Sequence, residues 1–210
     1  MSRLHLGAFL FVAALIWGLL LIVSGVSVSL AWLKPIGIVV GALSVVVACF
    51  DRWIWRLRLL HPWFVSIPDI NGTWKGTLNS SWTKDGSGSS APSIPAYLCV
   101  RQTFSAVRMR LMTKESASEL LIGNVSKDGT AVLVVGVYRN TPDVLLRDRS
   151  PIHYGAILLH VQGDASMRLE GEYWTDRDTK GRMRFASVSP EHFDDFERAS
   201  RCKYAEQKQK

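Results

Sequence analysis

The residues best suited to chemistry lie in Gly171–Gly181 (GEYWTDRDTKG), which crowds Tyr173, Trp174, Thr175, Arg177 and Thr179 into one turn-rich stretch. Aromatic faces stack on nucleobases, hydroxyls bond to base edges or ribose, and a guanidinium pairs with phosphate. The same residues equally suit a hairpin end at which Tyr173 and Trp174 only pack while Asp176-Arg177-Asp178 stays in water. Gln102 is a second point of interest, a lone amide on an otherwise apolar strand face. A buried amide needs hydrogen-bond partners, which a ligand or the backbone can supply.

Catalysis finds little support. The histidines His5, His61, His153, His160 and His192 show no ligand spacing such as H-E-x-x-H, and neither a G-x-S-x-G nor a phosphate-loop motif occurs. Asp148, Asp176 and Asp178 lie beside arginines, where exposed ion pairing explains them. Cys49, Cys99 and Cys202 are scattered, without a C-x-x-C pair, which argues against disulfides and zinc. No catalytic residue and no metal ligand is therefore assigned, and the chain is not expected to be an enzyme.

The elements that must position Arg177 and its neighbours read as β-strands. After Pro68 the chain alternates apolar and polar residues between turn signals. Strands are expected at Gly72–Ser80, Tyr97–Phe104, Val107–Thr113, Ser116–Val125, Thr130–Tyr138, Tyr154–Val161, Met167–Trp174 and Lys180–Val188. Trp74, Gly76 and Leu78 share one face of the first. A loop, Thr83–Pro95 (TKDGSGSSAPSIP), follows it, and Lys127-Asp128-Gly129 makes a hairpin turn. The strands Thr130–Tyr138 and Tyr154–Val161 are apolar on both faces, so something should cover their outside. Candidates are a helix, another copy or the bilayer surface. A helix is expected from Ser189 as N-cap and Pro190 at N1, with Phe193 and Phe196 placed to cover them. Acids of Met167–Trp174 and arginines of Lys180–Val188 suit cross-strand pairing. About eight meandering strands close most simply into a barrel, which removes exposed edges and holds one small ligand at most. A two-sheet sandwich is the competing arrangement.

Ahead of this lies Leu6–Phe50, whose only charge is Lys34. A helix of roughly 20 apolar residues crosses a hydrocarbon core of about 30 Å, so two crossings are expected, near Leu6–Ser24 and Leu33–Trp55, with a turn at Gly25–Trp32. A cleaved signal peptide fits poorly, because the apolar run is too long and no small-residue cleavage site leads into a polar start. Arg3 precedes the first crossing and Arg52, Arg56 and Arg58 follow the second, which places both termini in the cytoplasm. Trp53, Trp55, Trp63 and Phe64 suggest an aromatic belt. The expected fold class is thus a membrane protein: two N-terminal transmembrane helices in residues 1–60, an antiparallel β-barrel in 68–188 that binds ligand, and a short C-terminal helix with a polar tail in 189–210. The formal net charge is +7, of which +5 follows Phe50. That balance suits anionic lipid headgroups or a phosphorylated ligand, and equally a soluble surface beside an anionic leaflet.

Together Asp69–Gly76 (DINGTWKG), Val100–Phe104 (VRQTF), Thr113–Ser118 (TKESAS) and Gly171–Gly181, in this order after an apolar hairpin, carry a resemblance. The chain resembles the two-transmembrane, β-strand-rich effectors of CBASS, the bacterial cyclic-oligonucleotide anti-phage systems. The resemblance implies a cyclic oligonucleotide as activating ligand, most simply a cyclic dinucleotide second messenger made by a cGAS-like nucleotidyltransferase. It further implies homo-oligomerisation, disruption of inner-membrane lipids and death of the infected cell, with no DNA or RNA partner. Gly72-x-Trp74 is also similar to the lipocalin signature in which a tryptophan packs the closed end of a barrel, and gives Trp74 a structural role. Polar groups facing inward or at the rim give the ligand-binding set Gln102, Thr113, Tyr138, Tyr173, Thr175, Arg177 and Thr179. A lipocalin-like barrel for a lipid or other apolar molecule is the alternative, and would have an apolar cavity without an arginine at its mouth. A tethered scaffold with a filled barrel is the third reading.

Overall fold

The computed structural model describes residues 33–81, 93–163 and 167–206, with isolated helical positions between Phe11 and Val23. The chain divides into two compact units, Met1–Trp55 and Arg56–Lys210. In the first, helix α1 runs over Leu33–Arg52. Arg58–Leu60 forms a single 3-10 turn in the second.

The expectation of two membrane crossings is corrected. Among the described residues no helix is long and apolar enough to cross a membrane. Charges explain this for α1: Lys34 lies at its start and Asp51 and Arg52 at its end. The charge-free part, Pro35 to Phe50, spans about 24 Å at ~1.5 Å per residue, short of the ~30 Å hydrocarbon core. The helix also stops at Arg52, ahead of the expected Trp55. Most of the first expected crossing, Leu6–Ser24, and the turn at Gly25–Trp32 lie outside the described residues.

The second unit is an antiparallel barrel of eight strands in chain order: β1 (Gly72–Ser80), β2 (Ile94–Gln102), β3 (Val107–Met112), β4 (Ser116–Asp128), β5 (Ala131–Pro142), β6 (His153–Gln162), β7 (Arg168–Thr175) and β8 (Lys180–Ser189). Each pairs with its neighbour, and β8 closes on β1, from Thr73 opposite Ser189 to Ser80 opposite Gly181. Closure requires a bulge between Lys75 and Gly76, where a Cβ on Gly76 would run into the Arg184 carbonyl. Gly129, at φ +58°, turns the β4–β5 hairpin, as its sequence suggests.

The inward positions follow the two-residue alternation. Trp74, Leu98, Val100, Val134, Leu159, Leu169 and Phe185 form one core with Ile70, which enters from the segment before β1. Burying each large apolar side chain contributes about 1.5–3 kcal/mol. Outward, Glu170 lies opposite Arg184 and Glu172 opposite Arg182, at N–O distances of 3.0 and 3.9 Å. These exposed pairs contribute roughly 0–1 kcal/mol each.

The C-terminal segment departs from expectation. Ser189 ends β8, and the helix α2 (Phe196–Arg201) starts later, capped by Asp195 accepting from Arg198 N–H. The reason is Thr73: its hydroxyl donates to the Glu191 carbonyl (2.7 Å) and accepts from Phe193 N–H (3.1 Å), holding this stretch against β1. Phe193 and Phe196 then pack on Tyr97, Cys99 and Met112, on the outer face of β2 and β3, and Tyr97 meets Phe196 edge-on at 5.3 Å. They do not cover the doubly apolar β5 and β6, where Val135 and Val137 are exposed. A two-residue strand β9 (Ala205–Glu206) lies against β8.

Candidate functional site

In an up-and-down barrel every second connection emerges at the same end. One end collects the β1–β2, β3–β4, β5–β6 and β7–β8 connections, and with them Thr113, Tyr138, Tyr173, Thr175, Arg177 and Thr179. The opposite end holds Gln102.

Gln102 seals its end. Its Oε1 accepts from Ile70 N–H (2.9 Å) and its Nε2 donates to the Pro68 carbonyl (3.2 Å). Its own N–H donates to Asn71 Oδ1, and its carbonyl accepts from Asn71 and from Arg56 Nη2. The amide is spent on the segment that feeds Ile70 into the core beside Trp74, whose indole N–H bonds to the Ile70 carbonyl (2.9 Å). Replacing Gln102 with Leu leaves Ile70 N–H buried without a partner, which costs about 1–3 kcal/mol. Denaturant unfolding should register that loss, while ligand affinity of the folded variant stays within twofold of the parent.

At the other end the β7–β8 turn is built on hydroxyls. Thr175 and Thr179 Oγ1 are 2.7 Å apart, and Thr175 Oγ1 accepts from the N–H groups of Arg177 (3.2 Å) and Thr179 (3.3 Å). Asp178 takes φ +58° to complete the turn, a conformation Asp tolerates. This geometry turns Arg177 back toward the β5–β6 connection. Its Nη1 donates to Ser150 Oγ at 3.0 Å and stands 3.5 Å from His153 Nδ1. Among the described residues Arg177 makes no ion pair, so its charge is not matched by a carboxylate.

His153, directly opposite Asn140, is buried. Its Nδ1 is 3.0 Å from the Pro151 carbonyl, which requires a proton there; Nε2 then accepts from Asn140 Nδ2 at 3.2 Å. Asn140 Oδ1 is left buried without a partner. Below this layer Tyr138 and Tyr173 are each 8 % exposed. Burial raises both phenol pKa values above 10; at Tyr138 the neighbouring Tyr173 and Asp176 add to it. Both hydroxyls are thus neutral at physiological pH. Glycines make room for these rings: a Cβ on Gly155 would strike Tyr138, and one on Gly181 would strike Tyr173.

Thr113 closes the β3–β4 turn, its Oγ1 accepting from Ser116 N–H at 3.1 Å. That turn is braced against the β5–β6 connection by Arg149–Glu115 (2.8 Å) and by Asp143 N–H to the Glu115 carbonyl (2.9 Å). Trp174 points outward, 51 % exposed, so the two aromatics of the hairpin separate, one to each face. Of the sequence-derived residues, six share the mouth and Gln102 does not. Ser150, His153 and Asn140 were not singled out. Alternation carried on from inward Tyr138 would have found Asn140.

A groove on the outer face, lined by Thr77, Asn79, Glu170, Glu172, Arg182 and Arg184, also carries cations, but each arginine there is set against an acid. Among the described residues no group of His, Cys, Asp and Glu could hold a metal ion. A family model described as Cap15, cyclic dinucleotide receptor domain, matches residues 65–187, more than half of the chain and all but the end of the barrel. No curated protein matches the chain.

Proposed function

The chain belongs to the Cap15 cyclic dinucleotide receptor family, and we propose that its barrel binds a cyclic dinucleotide at the mouth formed by Arg177, Thr175, Thr179, Tyr138 and Tyr173. The observation that carries this reading is Arg177, a half-buried guanidinium with no carboxylate partner among the described residues, held by Ser150 beside hydroxyl and phenol groups. Taking a phosphodiester out of water is costly without a hydrogen-bonded cation, and Arg177 supplies one. The neutral phenols of Tyr138 and Tyr173 donate hydrogen bonds, and the spare acceptor on Asn140 suits an N–H of a base edge. The lipid-binding alternative requires a mouth without an arginine, which is not what these residues make.

In this reading the chain is a CBASS effector and acts as a receptor without catalysis. A cGAS-like nucleotidyltransferase supplies the ligand, and binding drives homo-oligomerisation and damage to the inner membrane. The test of binding is calorimetric titration of the full chain in detergent micelles with a panel of cyclic dinucleotides of varied bases and linkages. Saturable heat with at least one member supports the reading; no heat with any member at high micromolar ligand overturns it.

Membrane contact is also part of the proposal. Leu57, Leu59, Trp63 and Phe64 are exposed beside Arg58, and Trp63 lies 5.6 Å from Phe64 between ring centroids. Exposed aromatics with arginines suit the headgroup layer of an anionic bilayer. Flotation with liposomes containing anionic lipid should recover the parent chain and lose a large share of Trp63→Ala/Phe64→Ala. Equal recovery of both would sink membrane contact at this segment.

A further inference from the structure

The barrel is closed unevenly. β3 lies opposite β4 only at Arg110–Met112, against Ala117–Glu119. β4 nevertheless continues to Asp128, paired with β5 along its other side. β3 begins only at Val107, which this register would set opposite Ile122, so β4 outruns it, and a register shift in the β4–β5 pairing falls between Leu120 and Ile122, where the pairing with β3 has stopped. From Leu120 onward no described strand pairs with the β3-facing edge of β4. Leu121 and Ile122, at the start of this edge, are 54 % and 72 % exposed, and Ile122 lies opposite exposed Val137. Such an edge offers a row of main-chain donors and acceptors, and beyond the bulge at its start the usual defences are thin here. The stretch has no proline, and its charges, Lys127 and Asp128, stand only at the tip.

We propose that two copies of the chain join by antiparallel pairing of their β4 edges about a two-fold axis at Asn124. A strand is the occupant that matches main-chain groups in a ladder; lipid and a helix face have none to give. An identical strand satisfies both free edges in one step, as a two-fold contact must. Centring on Asn124 keeps the pairing within Leu121–Lys127, clear of β3. It sets the two Asn124 side chains opposite each other. The exposed strip of Ile122, Val135 and Val137 then lies beside the seam. This inference is independent of the nucleotide reading, because the β4–β5 hairpin is at the barrel end away from Arg177.

The test is the mass of the full chain in detergent micelles by sedimentation, with and without the cyclic dinucleotide panel. The parent is expected to reach twice the monomer mass in at least one condition. Asn124→Lys and Asn124→Asp should each weaken association by about tenfold or more, because like charges then stand opposite. Asn124 is exposed, so both variants should keep the parent's circular dichroism. An equimolar mixture of the two should regain the doubled mass. A parent that stays monomeric throughout, charge variants that associate like the parent, or a mixture that stays monomeric would each overturn the proposal.

Discussion

Arg177→Ala is expected to bind cyclic dinucleotide about 10–150-fold more weakly, the loss of roughly 1.5–3 kcal/mol that a charge-assisted pair contributes. The size follows from the surroundings. Arg177 is half-buried, its Nη1 is oriented by Ser150 at 3.0 Å, and its main chain is tied to Thr175. Little ordering remains to be done when a phosphate arrives. The fold should survive, because no core residue depends on the guanidinium. Arg177→Lys keeps the charge but loses the fork that bonds Ser150 and a phosphate oxygen together, so it should fall between parent and alanine. If ligand binding favours an assembling form, the alanine variant needs correspondingly more ligand and reaches the same final extent. Calorimetry on the two variants decides this. Unchanged affinity in Arg177→Ala would remove the phosphate from this mouth and leave the barrel standing.

Trp74→Ala should be the more damaging change to the protein itself. Trp74 is almost fully buried among Ile70, Leu98 and Phe185, and its N–H is bonded to the Ile70 carbonyl. Truncating a buried tryptophan costs about 3–5 kcal/mol, from a total that is typically 5–15 kcal/mol. At roughly 2–4 °C per kcal/mol for a chain of this size, the melting temperature should fall by about 6–20 °C. Trp74→Phe keeps most of the apolar surface and loses the hydrogen bond, so its cost should be distinctly smaller. Urea unfolding of the three proteins would show the order. A loss below about 1 kcal/mol for alanine would mean that this end relaxes around the cavity, against the close packing seen here. Ligand affinity of the folded fraction should hardly move, since Trp74 lies at the end opposite Arg177.

Local sequence carried a good deal of this protein. Alternation at period two placed all eight strands to within a few residues, and it set Trp74, Gly76 and Leu78 on one face, which the barrel turns inward. It also paired the acids of β7 with the arginines of β8. The crowding of the Thr175 and Thr179 hydroxyls around Arg177 was legible because a single hairpin contains all three. At the N-terminus hydropathy alone read an apolar run as two crossings; among the described residues a crossing also needs an uninterrupted length, and Lys34, Asp51 and Arg52 limit the charge-free part of α1.

What the tertiary structure alone decided are relations between residues distant in the chain. Gln102 and Arg177 are both polar groups at strand ends, and nothing near either one in sequence says that they occupy opposite ends of the barrel. That depends on how many strands intervene and in which direction each runs. Ser150 and His153 reach Arg177 across more than twenty residues because register brings β6 beside β7. The C-terminal aromatics went to β2 and β3 because Thr73, a residue on β1, holds the chain there by two hydrogen bonds. Alternation is set by the geometry of one strand, so sequence determines it. Closure, register and the end at which a loop emerges are set by pairing between strands, and those exist only once the barrel has formed.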